Sequence, residues 1–145
     1  MTELTDIVET FDLIDEWDLR YQYLVELGEE VPKMPDAEKT EDHRVKGCMS
    51  KVWVCAHRDS QDATRLRYHG ECDTSIIQGV LALLLKYFSG HTIKEAVDLD
   101  ADPLFEKLNL FDHLSPTRHV GIYAIVELMK IQARILAANP SQHVS

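Results

Sequence analysis

Cys48 stands in the run Val45-Lys46-Gly47-Cys48-Met49-Ser50-Lys51-Val52-Trp53-Val54, directly after a glycine and between two lysines. The thiolate, not the thiol, is the nucleophile, and neighbouring cations favour it. Arg44, Lys46 and Lys51 make a basic island in a chain with 25 acidic and 15 basic residues. Gly47 points to a special backbone turn just before the thiol. Two readings fit this pattern. In one, Cys48 reacts and the lysines hold its thiolate. In the other, it packs as a small hydrophobe while the cations are solvated residues of a strand edge.

The other two cysteines suggest packing. Cys55 falls inside a strand-like run and Cys72 at the end of a second one. Six residues separate Cys48 from Cys55 and sixteen separate Cys55 from Cys72, so no C-x2-C knuckle exists. A metal site built from Cys48, Cys55, Cys72 and a histidine such as His43 would have to be assembled by the fold, and none is assigned. The seven histidines are not expected to cluster, and neither H-E-x-x-H nor a glycine-rich phosphate loop is present. His113-Leu114-Ser115-Pro116-Thr117-Arg118 reads as a helix start, with Ser115 as N-cap and Pro116 in the first position. Arg118 would then lie in the first turn, where the helix dipole mildly disfavours a cation. It is therefore expected to answer to an acidic neighbour or a partner.

The elements that position these residues follow from periodicity. Leu4, Ile7, Val8, Phe11 and Ile14, then Trp17, Tyr21, Leu24 and Val25, predict two consecutive amphipathic helices, with Gly28 as a C-cap. Residues 31–43 carry two prolines and many charges and read as a surface loop. Lys51–Ala56 and Thr64–Gly70 predict two antiparallel strands about an Asp59–Asp62 turn. Asp73-Thr74-Ser75 offers N-cap chemistry to a central helix from Ile76 to Leu85 that is apolar on nearly every side. Ser89-Gly90 stops it. Short helices are expected over Thr92–Leu99 and Pro103–Leu108. A long helix follows Pro116, with Ile122, Ile125, Val126, Met129, Ala133 and Leu136 on its apolar face, and the tail from Asn139 frays.

A length of 145 residues suits one domain, and 45% apolar with 28% charged residues is an ordinary globular composition. The net charge of −10 disfavours nucleic acid and anionic lipid as partners. No apolar run approaches the roughly 20 residues a membrane helix needs, and the acidic start lacks the layout of a signal peptide. A cytoplasmic protein with reduced cysteines is expected.

Four stretches carry a family resemblance. They are Trp17-Asp18-Leu19-Arg20-Tyr21-Gln22-Tyr23-Leu24-Val25-Glu26-Leu27-Gly28, Val45 through Trp53, Asp73-Thr74-Ser75-Ile76-Ile77-Gln78-Gly79, and His113 through Arg118. In this order they resemble SufE, the cysteine-desulfuration protein, and its relative CsdE, most strongly over residues 7–136. The resemblance implies an α+β fold: a small antiparallel sheet packed against several helices, shared with the IscU/NifU scaffolds. It also implies a role. A SufE-like chain takes persulfide sulfur from a PLP-dependent cysteine desulfurase, stimulates that enzyme, and passes the sulfur on for iron–sulfur cluster assembly. By position the acceptor is Cys48. Gly47, Lys46 and Lys51 would support its loop and thiolate, and Asp73, Arg118 and His113 are candidates for positioning or partner contact.

No cofactor of its own is expected, since the PLP belongs to the desulfurase. Partners would be that enzyme, a downstream acceptor or scaffold, and a second copy of the chain as a further candidate. Family members tuck the loop cysteine into an apolar cavity and expose it on docking. Three departures stand out. Met49 replaces a usual glutamine, Cys72 stands where serine is common and offers a thiol that could resolve a disulfide with Cys48, and His119 replaces a small polar residue. The alternatives are an iron–sulfur scaffold using Cys48, Cys55 and Cys72, and a non-catalytic adaptor.

Overall fold

The computed structural model describes residues 3–139. The first two helices form as the periodicity predicts, α1 over Leu4–Leu13 and α2 over Trp17–Glu29. Gly28 is not a cap, however. It lies inside α2, whose C-cap is Glu30. A Cβ there would stand 2.9 Å from both the Gly79 nitrogen and Gln78 Cγ, so the glycine serves a close helix crossing. Gly79 answers it from the other side, where a Cβ would stand 2.2 Å from the Leu24 carbonyl oxygen.

The chain then crosses the surface with two 3-10 turns, Asp36–Glu38 and Glu41–His43. Strands β1 (Val52–Arg58) and β2 (Leu66–Cys72) pair antiparallel as a two-stranded sheet. Val52 is opposite Cys72, and Cys55 is opposite His69. Each strand runs two residues past its expected end, which brings His57 and Cys72 into the ladder. The even-numbered positions Val52, Val54, Leu66, Tyr68 and Gly70 are buried, because that face lies on α3, Ser75–Phe88, beneath β2 and on the C-terminal helix beneath β1. Leu81 and Leu85 of α3 press on Gly70.

The odd-numbered face of the hairpin points away from α3. It is covered by the 34–44 segment. Lys39 Nζ meets Glu71 Oε2 at 2.6 Å, and Lys39 and Arg44 lie over the Trp53 ring. This strap explains how Cys55, on the outer face, is nonetheless buried.

Helix α3 is the core of the molecule, with Ile77, Val80 through Leu85 and Phe88 all buried. Full burial of a leucine-sized side chain stabilises by about 1.5–3 kcal/mol, so this helix anchors everything packed on it. After Gly90, Thr92 and Glu95 close a capping box at the start of α4, Ile93–Asp98. Helix α5 (Asp102–Lys107) has proline in its first turn, and α6 runs over Pro116–Ala138. The expected face of α6 is inside, with Ile122, Ile125, Val126, Met129 and Ala133 buried and Leu136 partly so. The tail expectation beyond Asn139 falls outside the described residues. Among the described residues, no helix is long and apolar enough to cross a membrane. The architecture is α+β, as expected.

Candidate functional site

Cys48 sits at the tip of the 46–51 loop, between an edge pairing and β1. Upstream, Val45 N–H donates to the Val52 carbonyl at 2.8 Å, and Arg44 bridges Trp53. Gly47 turns the chain with φ +85°, a conformation that side-chained residues rarely adopt. Downstream, the loop is tied to the start of α3. Asp73 Oδ1 accepts from Lys51 N–H at 3.0 Å, and Asp73 N–H donates to the Lys51 carbonyl at 3.1 Å. The Ser50 and Thr74 hydroxyls are hydrogen-bonded at 2.7 Å. The polar residues at the entry to α3 were expected to cap it, yet N-cap Thr74 makes no side-chain capping bond. Their side chains hold the cysteine loop instead.

The Cys48 side chain is partly buried against the first turns of α6. A Cβ on Gly121 would stand 2.9 Å from Cys48 Sγ. The thiol therefore occupies the space that any other residue at 121 would fill. A cavity of about 250 Å3 opens here, lined by Cys48, Ser50, Thr74, Ile77, Arg118 and Gly121 among others. Ile77 supplies apolar wall, and the hydroxyls and guanidinium supply polar groups. Met49 also lines the cavity, at its open side, with 89% of its surface exposed.

The cations are arranged differently from the sequence reading. Lys46 Nζ is bonded to Glu41 Oε2 at 2.5 Å, and neither Lys46 nor Lys51 lines the thiol's cavity. Arg118 does, and among the described residues it has no acidic partner. Its backbone N–H is received by Ser115 Oγ at 3.4 Å, the expected cap. Of the two expectations for this cation, the acidic neighbour is absent among the described residues, and Arg118 lines the cavity beside the thiol instead.

Asp73 is beside the loop, as described. His113 is partly buried. Its ring stacks on Trp17, with centroids 3.9 Å apart, and its carbonyl accepts from the Tyr21 hydroxyl. It ties the α6 entry to α2. His119 likewise stacks on Phe111 and bonds that residue's carbonyl at 2.7 Å.

The remaining cysteines separate. Cys72 lies on the loop side, close enough that charge on Cys48 bears on it. Burial pushes its thiol up, and the charges of Asp73 and Cys48 add to that, while the Thr74 N–H and the Ser50 hydroxyl pull the other way. Thr74 N–H donates to its sulfur at 3.4 Å. Cys55 is on the opposite face of the hairpin, three positions from Val52. Burial pushes its thiol up to about 12, with the Glu38 carboxylate contributing. A three-cysteine scaffold site is therefore excluded by strand alternation. His43 Nε2 is 3.6 Å from Cys55 Sγ, beneath the strap and not beside Cys48.

Comparison with known proteins matches most of the chain. A family profile described as SufE, Fe–S metabolism associated domain, covers residues 5–133. The chain belongs to the SufE family. An uncharacterized SufE-like protein of Rhizobium meliloti is 38% identical over 135 residues, covering 92% of this chain and 96% of that protein. An uncharacterized SufE-like protein of Rhizobium etli is 32% identical over 139 residues, covering 95% and 94%. The solution structure of a hypothetical protein from Thermus thermophilus superposes with a TM-score of 0.73. It is 20% identical and covers 93% of this chain and 96% of that one, so it shares the fold.

Within this SufE-family chain, Gly121 is the site residue that sequence reading missed. A glycine inside an otherwise strong helix costs about 1 kcal/mol relative to alanine, and that anomaly was its only signal. Ser50, Thr74 and Ile77 carried no such mark, because only the fold brings them to the thiol.

Proposed function

We propose that the protein accepts sulfane sulfur from a PLP-dependent cysteine desulfurase onto Cys48 and passes it on for iron–sulfur cluster assembly. The observation that carries the reading is the single thiol seated against Gly121 on a hydroxyl- and arginine-lined cavity. Family membership ties the chain to iron–sulfur metabolism. The chemistry is thiol exchange at sulfur. The Cys48 thiolate attacks the outer sulfur of the desulfurase persulfide. The S–S bond to the desulfurase cysteine breaks as the new one to Cys48 forms, and the desulfurase thiolate leaves. Nothing is oxidised or reduced overall. Arg118 offers charge to the thiolate and to the terminal sulfur. The cavity leaves room for one added sulfur atom beside Ser50 and Thr74, where it is shielded from oxidants. Met49 and the loop backbone around it form the outward face that a partner meets.

The test is intact-mass spectrometry after incubation with a desulfurase, PLP and cysteine in the absence of reductant. Wild-type protein gains sulfur in a form that dithiothreitol removes, and Cys48→Ser gains none. Equal gain in the Cys48→Ser chain, or no gain with an active desulfurase, refutes the assignment.

A further inference from the structure

The hairpin's outer face holds a second cluster, apart from Cys48 and independent of the sulfur-acceptor reading. Glu38 Oε1 lies 3.0 Å from His57 Nε2 and 3.0 Å from His69 Nδ1. The two rings are 4.6 Å apart between centroids, and all three ligand atoms lie within 4.8 Å of one another. We propose that Glu38, His57 and His69 bind a divalent transition-metal ion, Zn2+ foremost, and that the ion pins the 34–44 strap to the hairpin.

Three features argue for this. First, both rings converge on one carboxylate oxygen rather than on separate acceptors. Zinc bonds of about 2.0–2.2 Å place tetrahedral ligands about 3.4 Å apart. An ion therefore needs the two short edges to open by ~0.4 Å and the third edge, between His57 Nε2 and His69 Nδ1 and no longer than 4.8 Å, to settle at about the same spacing. Second, the donors are imidazole and carboxylate, a set suited to zinc and its neighbours rather than to magnesium or calcium. Third, a supporting shell is present. His43 Nδ1 bonds the Glu38 carbonyl at 2.6 Å and holds the acidic residue's backbone over the strands. Outer bonds of this kind orient ligands and raise affinity.

Half-exposed His69 and partly exposed His57 leave an approach from solvent and room for water as a fourth ligand. The ligands come from three segments, so the ion crosslinks strap, β1 and β2. The strap continues directly into Arg44, Val45 and the Cys48 loop, so its anchoring bears on the stem of that loop.

The test uses the untagged, reduced, metal-free full chain, titrated with Zn2+ against a chromophoric chelator. One equivalent binds wild type. His57→Gln, His69→Gln and Glu38→Gln each lose about tenfold affinity or more, while Cys48→Ser/Cys72→Ser retains it. On the wild-type chain, nitrogen NMR of the imidazole rings reports large shifts at His57 Nε2 and His69 Nδ1, which removes any dependence on variants folding. No uptake at micromolar free Zn2+ overturns the proposal. So does uptake that survives His57→Gln/His69→Gln, that is lost with Cys48→Ser/Cys72→Ser, or that leaves both ring signals unmoved.

Discussion

Gly121→Ala tests the sheltered-thiol geometry most directly. The new Cβ would stand 2.9 Å from Cys48 Sγ, 3.5 Å from its Cβ and 3.7 Å from its Cα. Only the sulfur is too close. Ordinary contact lies near 3.5–4.0 Å, so Sγ must retreat by about 0.6–1.1 Å. It is the end of a side chain with one rotatable bond, so rotation about that bond relieves the contact and is expected to expose the sulfur further. Overpacking of this kind costs about 1–3 kcal/mol. Replacing a helical glycine returns about 1 kcal/mol. The net change in stability is therefore between zero and a loss of about 2 kcal/mol. In a Cys48→Ala background the clash is gone, and Gly121→Ala should stabilise by about 1 kcal/mol. The assays are urea denaturation of all four chains and the rate of Cys48 alkylation by mass spectrometry. Alkylation of Gly121→Ala should be several-fold faster than wild type. An unchanged rate, with equal destabilisation in both backgrounds, would refute the reasoning, since it would mean that α6 shifts and the thiol stays.

Two further predictions concern the frame around the site. Gly79→Ala would drive a Cβ to 2.2 Å from the Leu24 carbonyl oxygen, where only backbone can yield. A loss of about 3 kcal/mol or more in urea unfolding is expected, and a loss below 1 kcal/mol would mean that the α2–α3 crossing is looser than it looks. Alkaline stability should fall from about pH 9. The Cys55 thiol is raised from 9.0 to about 12 in the folded chain, chiefly by burial, so its contribution is complete below pH 9 and fades as the unfolded thiol ionises first and pH rises toward 12. Burial raises Cys72 and Tyr68 in the same direction. The urea midpoint of Cys55→Ala should therefore decline less steeply with pH than that of wild type, and identical slopes would count against a buried neutral thiol.

What the sequence disclosed was local. The helix at 17–29 is written in the spacing of Trp17, Tyr21 and Leu24, and α3 is written in an unbroken apolar run. Cys48 was visible because glycine, cations and a strand onset surround it within six residues. What it hid was non-local. Gly121 is 73 positions from Cys48 and Asp73 is 22 from Lys51. Such pairings depend on how α3 and α6 meet the hairpin, which no periodicity encodes. The histidine pair lay between these extremes. Both residues sit at outward positions of adjacent strands, and the hairpin register alone would have put His57 diagonal to His69. Glu38 could not be read, because the path of the 34–44 loop is set by Lys39–Glu71 and by the cation stacking on Trp53.

That division of labour bears on the proposed chemistry. A sulfur acceptor has to shelter its thiol and then surrender it, so the loop must open at low cost while the frame stays shut. The frame is α3, with side chains buried against both α2 and the sheet, and with glycines letting the α2 and α3 backbones touch. The loop is held by few groups: the Lys51 N–H on the Asp73 carboxylate, the Asp73 N–H on the Lys51 carbonyl, the Ser50–Thr74 hydroxyls, an exposed Lys46–Glu41 pair and the thiol's own seat. A neutral hydrogen bond of this kind is worth about 0.5–1.5 kcal/mol and the bond to the Asp73 carboxylate about 1.5–3 kcal/mol, while the exposed ion pair adds little. Opening the 46–51 segment in the proposed transfer would therefore cost a few kcal/mol, in the range where local unfolding is separable from the whole. In the proposed transfer, a docking partner that engaged Met49 and the freed Asp73 would recover much of that cost. This balance also accounts for the polar residues at the entry to α3, which bind the loop instead of capping their own helix. A strongly capped helix would gain little in a core already this apolar, whereas a loop with no latch would leave the thiol exposed between encounters.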